Sequence, residues 1–464
     1  MQPVGVEVEL GRLRGRHEHP VGQDAHRLPA QGDKRAGSKL YIESRRRPDL
    51  PFGAWHHGRH RHHRAGPGQR DQTGGDPAGP RGLRTQVSNW LCAVKITHVQ
   101  NPQPAHRPKS SQFRRVPPLA LASGLLSLTL PAMKALVLTS SDGTVEYADV
   151  EDPALRAGTA LVKLKAAGLN RRDYWITQGL YPGMSAPCIM GSDGAGVVTA
   201  VGEGVEESWI GKEVIIYPGR GWGPSPEAQS DDFRILGMPD DGVFAEQIVV
   251  PVEQLVAKPE HLTIHEAAAL PIAGLTAYRA LFSQGKLQPH ETILITGIGG
   301  GVAVMALKLA AASGARVLVS SSSPEKIERA IALGATAGAN YKEEGWASKL
   351  NDAHGPIDLA IDGAAGAGFN DLLGLVRPGG RIVSYGGTAG PPEQYDIRRH
   401  FWRQIHVIGS TFGSPDDLAG LMSQIERHGI KPEIDSVAPL SEGANVVASM
   451  ADSPQFGKLV LEIA

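Results

Sequence analysis

The sequence predicts an α/β protein in which a doubly wound parallel sheet, helices on both faces, is joined to a barrel-like β domain. Three observations point there. After about Pro271 strands and helices alternate, the rhythm of a parallel sheet. From Met133 to about Lys258 short strands recur with Gly and Pro at every gap, the rhythm of a β-barrel. A change in charge separates both from what precedes them. Residues 1–132 hold 21 Lys/Arg against 9 Asp/Glu, whereas residues 133–464 hold 26 against 39. The net charge of −1 over all 464 residues conceals that split.

Residues 1–132 show no sustained period of ~3.6 or 2 and are rich in Arg, His, Gly and Pro, as at 56–74. A basic nucleic-acid arm, a His-rich metal patch and an organelle-targeting leader each suit part of this composition. Glu7, Glu9 and Glu18 argue against the last. So little apolar patterning cannot offset the entropy of ordering, and the stretch reads as a disordered or wrongly assigned extension. Residues 116–130, after Arg114 and Arg115, resemble the core of a secretory signal but lie far from Met1. Met133 then opens a clean strand pattern and reads as the first residue of the folded protein. No run approaches ~18 apolar residues, so no membrane-spanning helix is expected, and a cytoplasmic protein is. Two cysteines, Cys92 and Cys188, exclude a disulfide scaffold and a four-cysteine zinc site.

In the β region, residues 161–165, 196–201, 212–217 and 243–250 read as strands, and the polar 222–241 insertion as an exposed loop. Beyond it, 292–296 is a buried strand, 302–313 a helix and 316–320 a strand. Pro324 opens a helix that ends near Gly334. Further strands are expected at 357–361, 381–385 and 406–410, and residues 430–464 should dock back on the first domain. The expected division is 133–272 for the β domain, 273–409 for the parallel sheet and 410–464 for the return.

The chemistry begins where the first strand of the parallel sheet meets its helix, at Thr296-Gly297-Ile298-Gly299-Gly300-Gly301-Val302. Glycines there let the backbone approach a pyrophosphate seated on the positive helix end, which makes Gly297, Gly300, Gly301 and Val302 cofactor-binding candidates. The second strand ends in Ser320-Ser321-Ser322-Ser323-Pro324-Glu325-Lys326, where an NAD enzyme usually places an acid for the ribose hydroxyls. Ser321, Ser322 and Lys326 suit a 2′-phosphate instead, so NADPH is expected. Serines that merely cap the following helix are the alternative. Tyr341, at the end of the third strand, is expected beside the adenosine.

These features come in a familiar order. They run through Ala167-Gly168-Leu169-Asn170-Arg171-Arg172-Asp173, Gly179-Leu180-Tyr181-Pro182 and Gly191-Ser192-Asp193-Gly194-Ala195-Gly196. They continue with Leu270 to Ala277, the glycine loop, Val383-Ser384-Tyr385-Gly386-Gly387 and Gly457-Lys458-Leu459-Val460. In order and spacing, residues 133–464 resemble the medium-chain dehydrogenase/reductases, specifically the zinc-independent quinone oxidoreductase branch. The resemblance implies a GroES-like β domain carrying a Rossmann domain, with Thr276, Gly386 and Gly387 also at the cofactor. It implies a cleft lined by Asn170, Arg172, Trp175 and Tyr181, and a homodimer paired through the Rossmann sheets.

The departures matter as much. Zinc alcohol dehydrogenases of this superfamily have Cys where Asn170 stands, His where Ser192 stands and Cys near Ile272. Arg172 replaces their proton-relay hydroxyl, and the 222–241 loop lacks the four cysteines of their structural zinc lobe. No zinc is therefore expected. Without a Lewis acid, a quinone or an alkene conjugated to a carbonyl is a better hydride acceptor than a plain ketone, needing only hydrogen-bond donors for the developing charge. The expected function is NADPH-dependent hydride transfer to such a substrate. A 2-alkenal or enoyl reductase is the nearest rival, and a non-catalytic NADPH-binding sensor, structural or RNA-binding protein the alternative of another class. Plainer roles stand beside each candidate: Asp173 tying its own turn, Trp175 in a core, Tyr181 bracing a loop. Cys188 reads as a buried inert thiol, and His261 and His265 as an isolated pair without other ligands.

Overall fold

The computed structural model describes residues 132–464, so the expectations for the leader and for Cys92 lie outside the described residues. The first strand begins where the charge pattern changes. β1 (Ala132–Leu138) pairs antiparallel with β2 (Val145–Glu151), and its run of buried residues, Ala135 to Leu138, marks a strand covered on both faces. β3 (Thr159–Gly168) buries Ala160, Val162, Leu164 and Ala166 while Lys163 faces solvent, the period-2 signature of a half-buried strand. It leads into the short helix α1 (Arg171–Thr177), followed by β4 (Cys188–Ile189), β5 (Asp193–Val201) and β6 (Glu213–Ile216).

The 222–241 segment is exposed and irregular over 223–232, as expected, but is anchored at its ends. β7 (Gly219–Arg220), β8 (Arg234–Leu236) and β9 (Pro239–Asp240) form a three-stranded sheet of their own around it. Trp222 is buried, edge-on to Phe233 with ring centroids 5.2 Å apart and beneath the Arg279 guanidinium at 4.9 Å. Its polar composition hid these anchors; a loop can be Gly- and Pro-rich and still be pinned by one aromatic. β10 (Gln247–Pro251) and β11 (Leu255–Ala257) complete the domain.

α2 (Ile264–Ala269), capped by Thr263 and Glu266, and α3 (Pro271–Tyr278) carry the chain across to the parallel sheet. The alternation then runs β12 (Thr292–Ile295), α4 (Gly301–Ala312), β13 (Arg316–Ser321), α5 (Pro324–Ala332), β14 (Ala337–Asn340) and α6 (Trp346–His354). It continues through β15 (Ile357–Asp362), α7 (Phe369–Leu375), β16 (Val376–Ser384), α8 (Ile397–Trp402) and β17 (His406–Gly409). The strand order is β14-β13-β12-β15-β16-β17, all parallel, so the order reverses beside β12, where ligands of such sheets bind. α4 is apolar almost all round because it is buried all round. β16 starts at Val376, five residues before the strand expected at 381, because Pro378 and Gly379 interrupt the apolar pattern without ending the strand.

α9 (Pro415–His428), with a Ser414–Asp417 capping box, packs beside α3. The chain then returns through β18 (Ile434–Pro439), α10 (Gly443–Ser449) and β19 (Lys458–Glu462), and β19 pairs antiparallel with β3. β19 thereby joins the β domain's sheet, and it brings Lys458 against Gly301 at the start of α4.

Candidate active site

The glycine loop leaves the end of β12 and turns into α4. Gly297 and Gly299 adopt φ of +62° and +125°, values that a side chain disfavours. A Cβ on Gly299 would stand 2.8 Å from the Lys326 Cδ, and one on Gly301 would stand 2.8 Å from the Lys458 Cδ. Gly297, Gly300 and Gly387 face open space, Val302 lies in the first turn of α4, and Gly386 and Gly387 are exposed after β16. Together these glycines form a cradle at a helix N-terminus that fits a dinucleotide pyrophosphate. Thr276 is buried in α3.

At the end of β13 the serines divide their labour. Ser323 caps α5, its hydroxyl accepting from the Lys326 amide at 3.2 Å. The buried Ser321 hydroxyl accepts from the Ser323 amide at 3.2 Å and keeps its own proton to donate, while Ser322 is exposed. The Tyr341 amide donates to the Ser321 carbonyl at 3.1 Å, which brings that tyrosine to the expected strand end with its ring exposed. Lys326 lies over Gly299, and its ammonium donates to the Ser453 carbonyl at 2.8 Å. Capping thus accounts for one serine and leaves Ser321, Ser322 and Lys326 grouped around the second strand.

Below the glycine loop sits a buried polar trio. The Lys458 ammonium donates to the Asn170 Oδ1 at 2.7 Å and to the Asp193 Oδ2 at 2.9 Å. Asp193 is closed off further by the Ile272 amide, which donates to its Oδ1 at 3.0 Å. Lys458 is 4% exposed, Asp193 0% and Asn170 8%, so each charge is held only by its partners. The trio also settles an orientation. An ammonium can only donate, so the Asn170 oxygen must face Lys458 and its NH2 must face the other way. That NH2 is buried without a partner, as is the Asp173 Oδ1 one turn on.

Beside Asn170, α1 places Arg172 and Asp173 side by side. The Arg172 guanidinium donates to the Ser192 hydroxyl, to the Leu236 carbonyl at 2.8 Å and to the Met238 carbonyl at 3.3 Å. Its Nε donates to the Tyr181 hydroxyl at 3.3 Å, and its cation sits 4.7 Å from the center of that ring. Asp173 does tie its turn, accepting from the Asn170 backbone N–H at 2.8 Å, and burial pushes its carboxyl up to about 6 against the pull of Arg172. Trp175 is half-buried and tilted against Tyr174, so it is not a sealed core residue. Burial pushes the Cys188 thiol up to about 12, the inert state expected for it. His261 bonds the Ile430 carbonyl and His265 pairs loosely with Glu462.

The three positions that hold zinc ligands in zinc alcohol dehydrogenases carry an amide, a hydroxyl and an alkyl chain in Asn170, Ser192 and Ile272. A guanidinium already bonds the hydroxyl. This donor set does not fit zinc, and among the described residues no three His, Cys, Asp or Glu are grouped to hold a metal ion. Lys458, Asp193 and Ser192 escaped the list of candidate site residues although each stands in a quoted motif. The available signal was a charged residue at the head of an apolar strand, where solvent cannot satisfy it.

Comparison with known proteins finds the same two-domain fold. Residues 156–260 match the alcohol dehydrogenase GroES-like domain and residues 301–427 the zinc-binding dehydrogenase family. A zinc-type alcohol dehydrogenase-like protein of Leptosphaeria maculans is 37% identical over 68% of this chain and 93% of its own. An acryloyl-coenzyme A reductase of Metallosphaera sedula is 30% identical over 71% of this chain and 99% of its own. The crystal structure of an NAD-dependent alcohol dehydrogenase, 32% identical, superposes with a TM-score of 0.68 over 72% of this chain and all of that one. The chain belongs to the medium-chain dehydrogenase/reductase superfamily of oxidoreductases, with a GroES-like domain and a Rossmann sheet.

Proposed function

We propose that the protein is an NADPH-dependent, zinc-independent reductase of alkenes conjugated to a carbonyl, with quinones as a related substrate set. The observation that carries this reading is the buried, unpartnered Asn170 NH2, fixed outward by Lys458. The bound nicotinamide supplies the hydride. The protein supplies donors for the negative charge that develops on the substrate oxygen, and Asn170 is oriented before the substrate arrives. The Tyr181 hydroxyl accepts from the Arg172 Nε at 3.3 Å and so keeps its own proton free to give to the reduced substrate. Trp175, half-buried, walls the cleft. The acryloyl-coenzyme A reductase relative, named for an alkene conjugated to a thioester, supports this substrate class.

Ser321, Ser322 and Lys326, with no acid at the end of β13, support NADPH over NADH. Two copies paired along β17 are proposed as the assembled state. That strand lies at the edge of the parallel sheet, with Val407 exposed and Trp402 81% exposed beside it. Light scattering at micromolar concentration should give twice the chain mass, and a monomer rejects the pairing.

The reaction is tested by following NADPH oxidation with a cyclic enone, a 2-alkenal and a quinone. The enone and alkenal should turn over, and Asn170→Ala should lower kcat by about 10²-fold, the usual cost of one oxyanion donor. NADPH binding without turnover of any of the three refutes the assignment.

A further inference from the structure

The segment between α10 and β19 crosses from the β domain to the glycine loop and is fastened at both ends. On one side the Arg171 guanidinium, from α1, donates to the Met450 carbonyl and to the Ser453 hydroxyl, and lies 5.5 Å from the Tyr174 ring. On the other, Lys326 donates to the Ser453 carbonyl at 2.8 Å while its stem rests on Gly299. Between them Ser453 takes φ +51° and ψ +48°, a left-handed conformation disfavoured for a side-chain-bearing residue and maintained here by contacts on both faces. Two residues before β19, the Phe456 ring lies 4.2 Å from the Arg329 guanidinium, and the Gly457 amide donates to the Gly299 carbonyl at 2.8 Å.

We infer that Arg171 is a positioning residue for cofactor choice: through Ser453 it holds Lys326 at the glycine loop, ready for the 2′-phosphate of NADPH. The inference rests on the NADPH reading above. A lysine chain loses much rotamer freedom when it fixes a ligand, and one already fixed by the protein loses less on binding. Arg171 and Lys326 are 155 residues apart in sequence and lie on different domains, joined only by one residue's hydroxyl and carbonyl.

The test is titration of NADPH and of NADH, by tryptophan fluorescence, into the full chain and its Arg171→Ala, Arg171→Lys, Lys326→Ala and Arg171→Ala/Lys326→Ala variants. Arg171→Ala should weaken NADPH about tenfold and leave NADH within about twofold, with Arg171→Lys intermediate. In the Lys326→Ala background the Arg171 substitution should have no further effect on NADPH. Equal weakening of both cofactors, or an NADPH effect that persists without Lys326, overturns the inference and leaves the NADPH reading standing. Equal affinities of the parent for both cofactors, unchanged by Lys326→Ala, overturn that reading and the inference with it.

Discussion

Replacing Lys458 by Met probes the buried trio directly. The side chain is of similar length, so the change removes the ammonium and little packing. Asp193 then keeps only the Ile272 amide, in a site with no exposure to solvent, and the Asn170 oxygen loses its donor. Stranding one member of a buried ion pair costs about 3–5 kcal/mol, because the remaining charge is neither solvated nor paired. Lys458→Met should therefore lose stability by that amount in urea unfolding. The double variant Lys458→Met/Asp193→Asn removes both charges. Its new amide can still accept from Ile272, and with no charge left buried it should recover most of the loss. Both variants should reduce enone turnover, since the Asn170 amide is then free to invert. A loss below about 1 kcal/mol in the single variant, or a double variant no more stable than the single, refutes the charge argument.

Two further outcomes follow from the same structure. Asp173 has its carboxyl raised from 3.8 to about 6 by burial, so the folded form binds a proton that the unfolded form does not between those values. The destabilisation from ionised Asp173 should accordingly fade as pH falls through about 6 and vanish below about 4, so Asp173→Asn, which keeps the turn bond but never ionises, should be more stable than the parent by up to about 3 kcal/mol at pH 8 and equal to it near pH 4, read by thermal unfolding. Ser321→Asp places a carboxylate where the 2′-phosphate is proposed and should narrow or reverse the preference for NADPH in the fluorescence titration, whereas an unchanged ratio removes Ser321 from that site.

What the sequence disclosed depended on how local the cause was. The alternation from β12 to β17 and the glycine loop were legible because each rests on residues adjacent in the chain. The serines after β13 were legible as a group, but the division between Ser323 as cap and Ser321 as binding candidate needed coordinates. The Asn170–Lys458 contact spans 288 residues and the Asp193–Lys458 contact 265, so no window along the chain could pair them. Trp222 was hidden for a similar reason: its partners are Phe233, eleven positions on, and Arg279, in the other domain. Arg172 was recognised as a departure from the zinc enzymes, yet only the fold shows it bonded to Ser192 and to the carbonyls of Leu236 and Met238.

Metal-free reduction of a conjugated alkene by Asn170, Arg172 and Tyr181 can be checked on one sample purified without chelators, by measuring zinc content and NADPH-dependent enone reduction before and after treatment with a strong chelator. Turnover is expected with far less than one zinc per chain and with no loss on chelation. One zinc per chain, removed together with the activity and restored with it, would mean that the site works through metal.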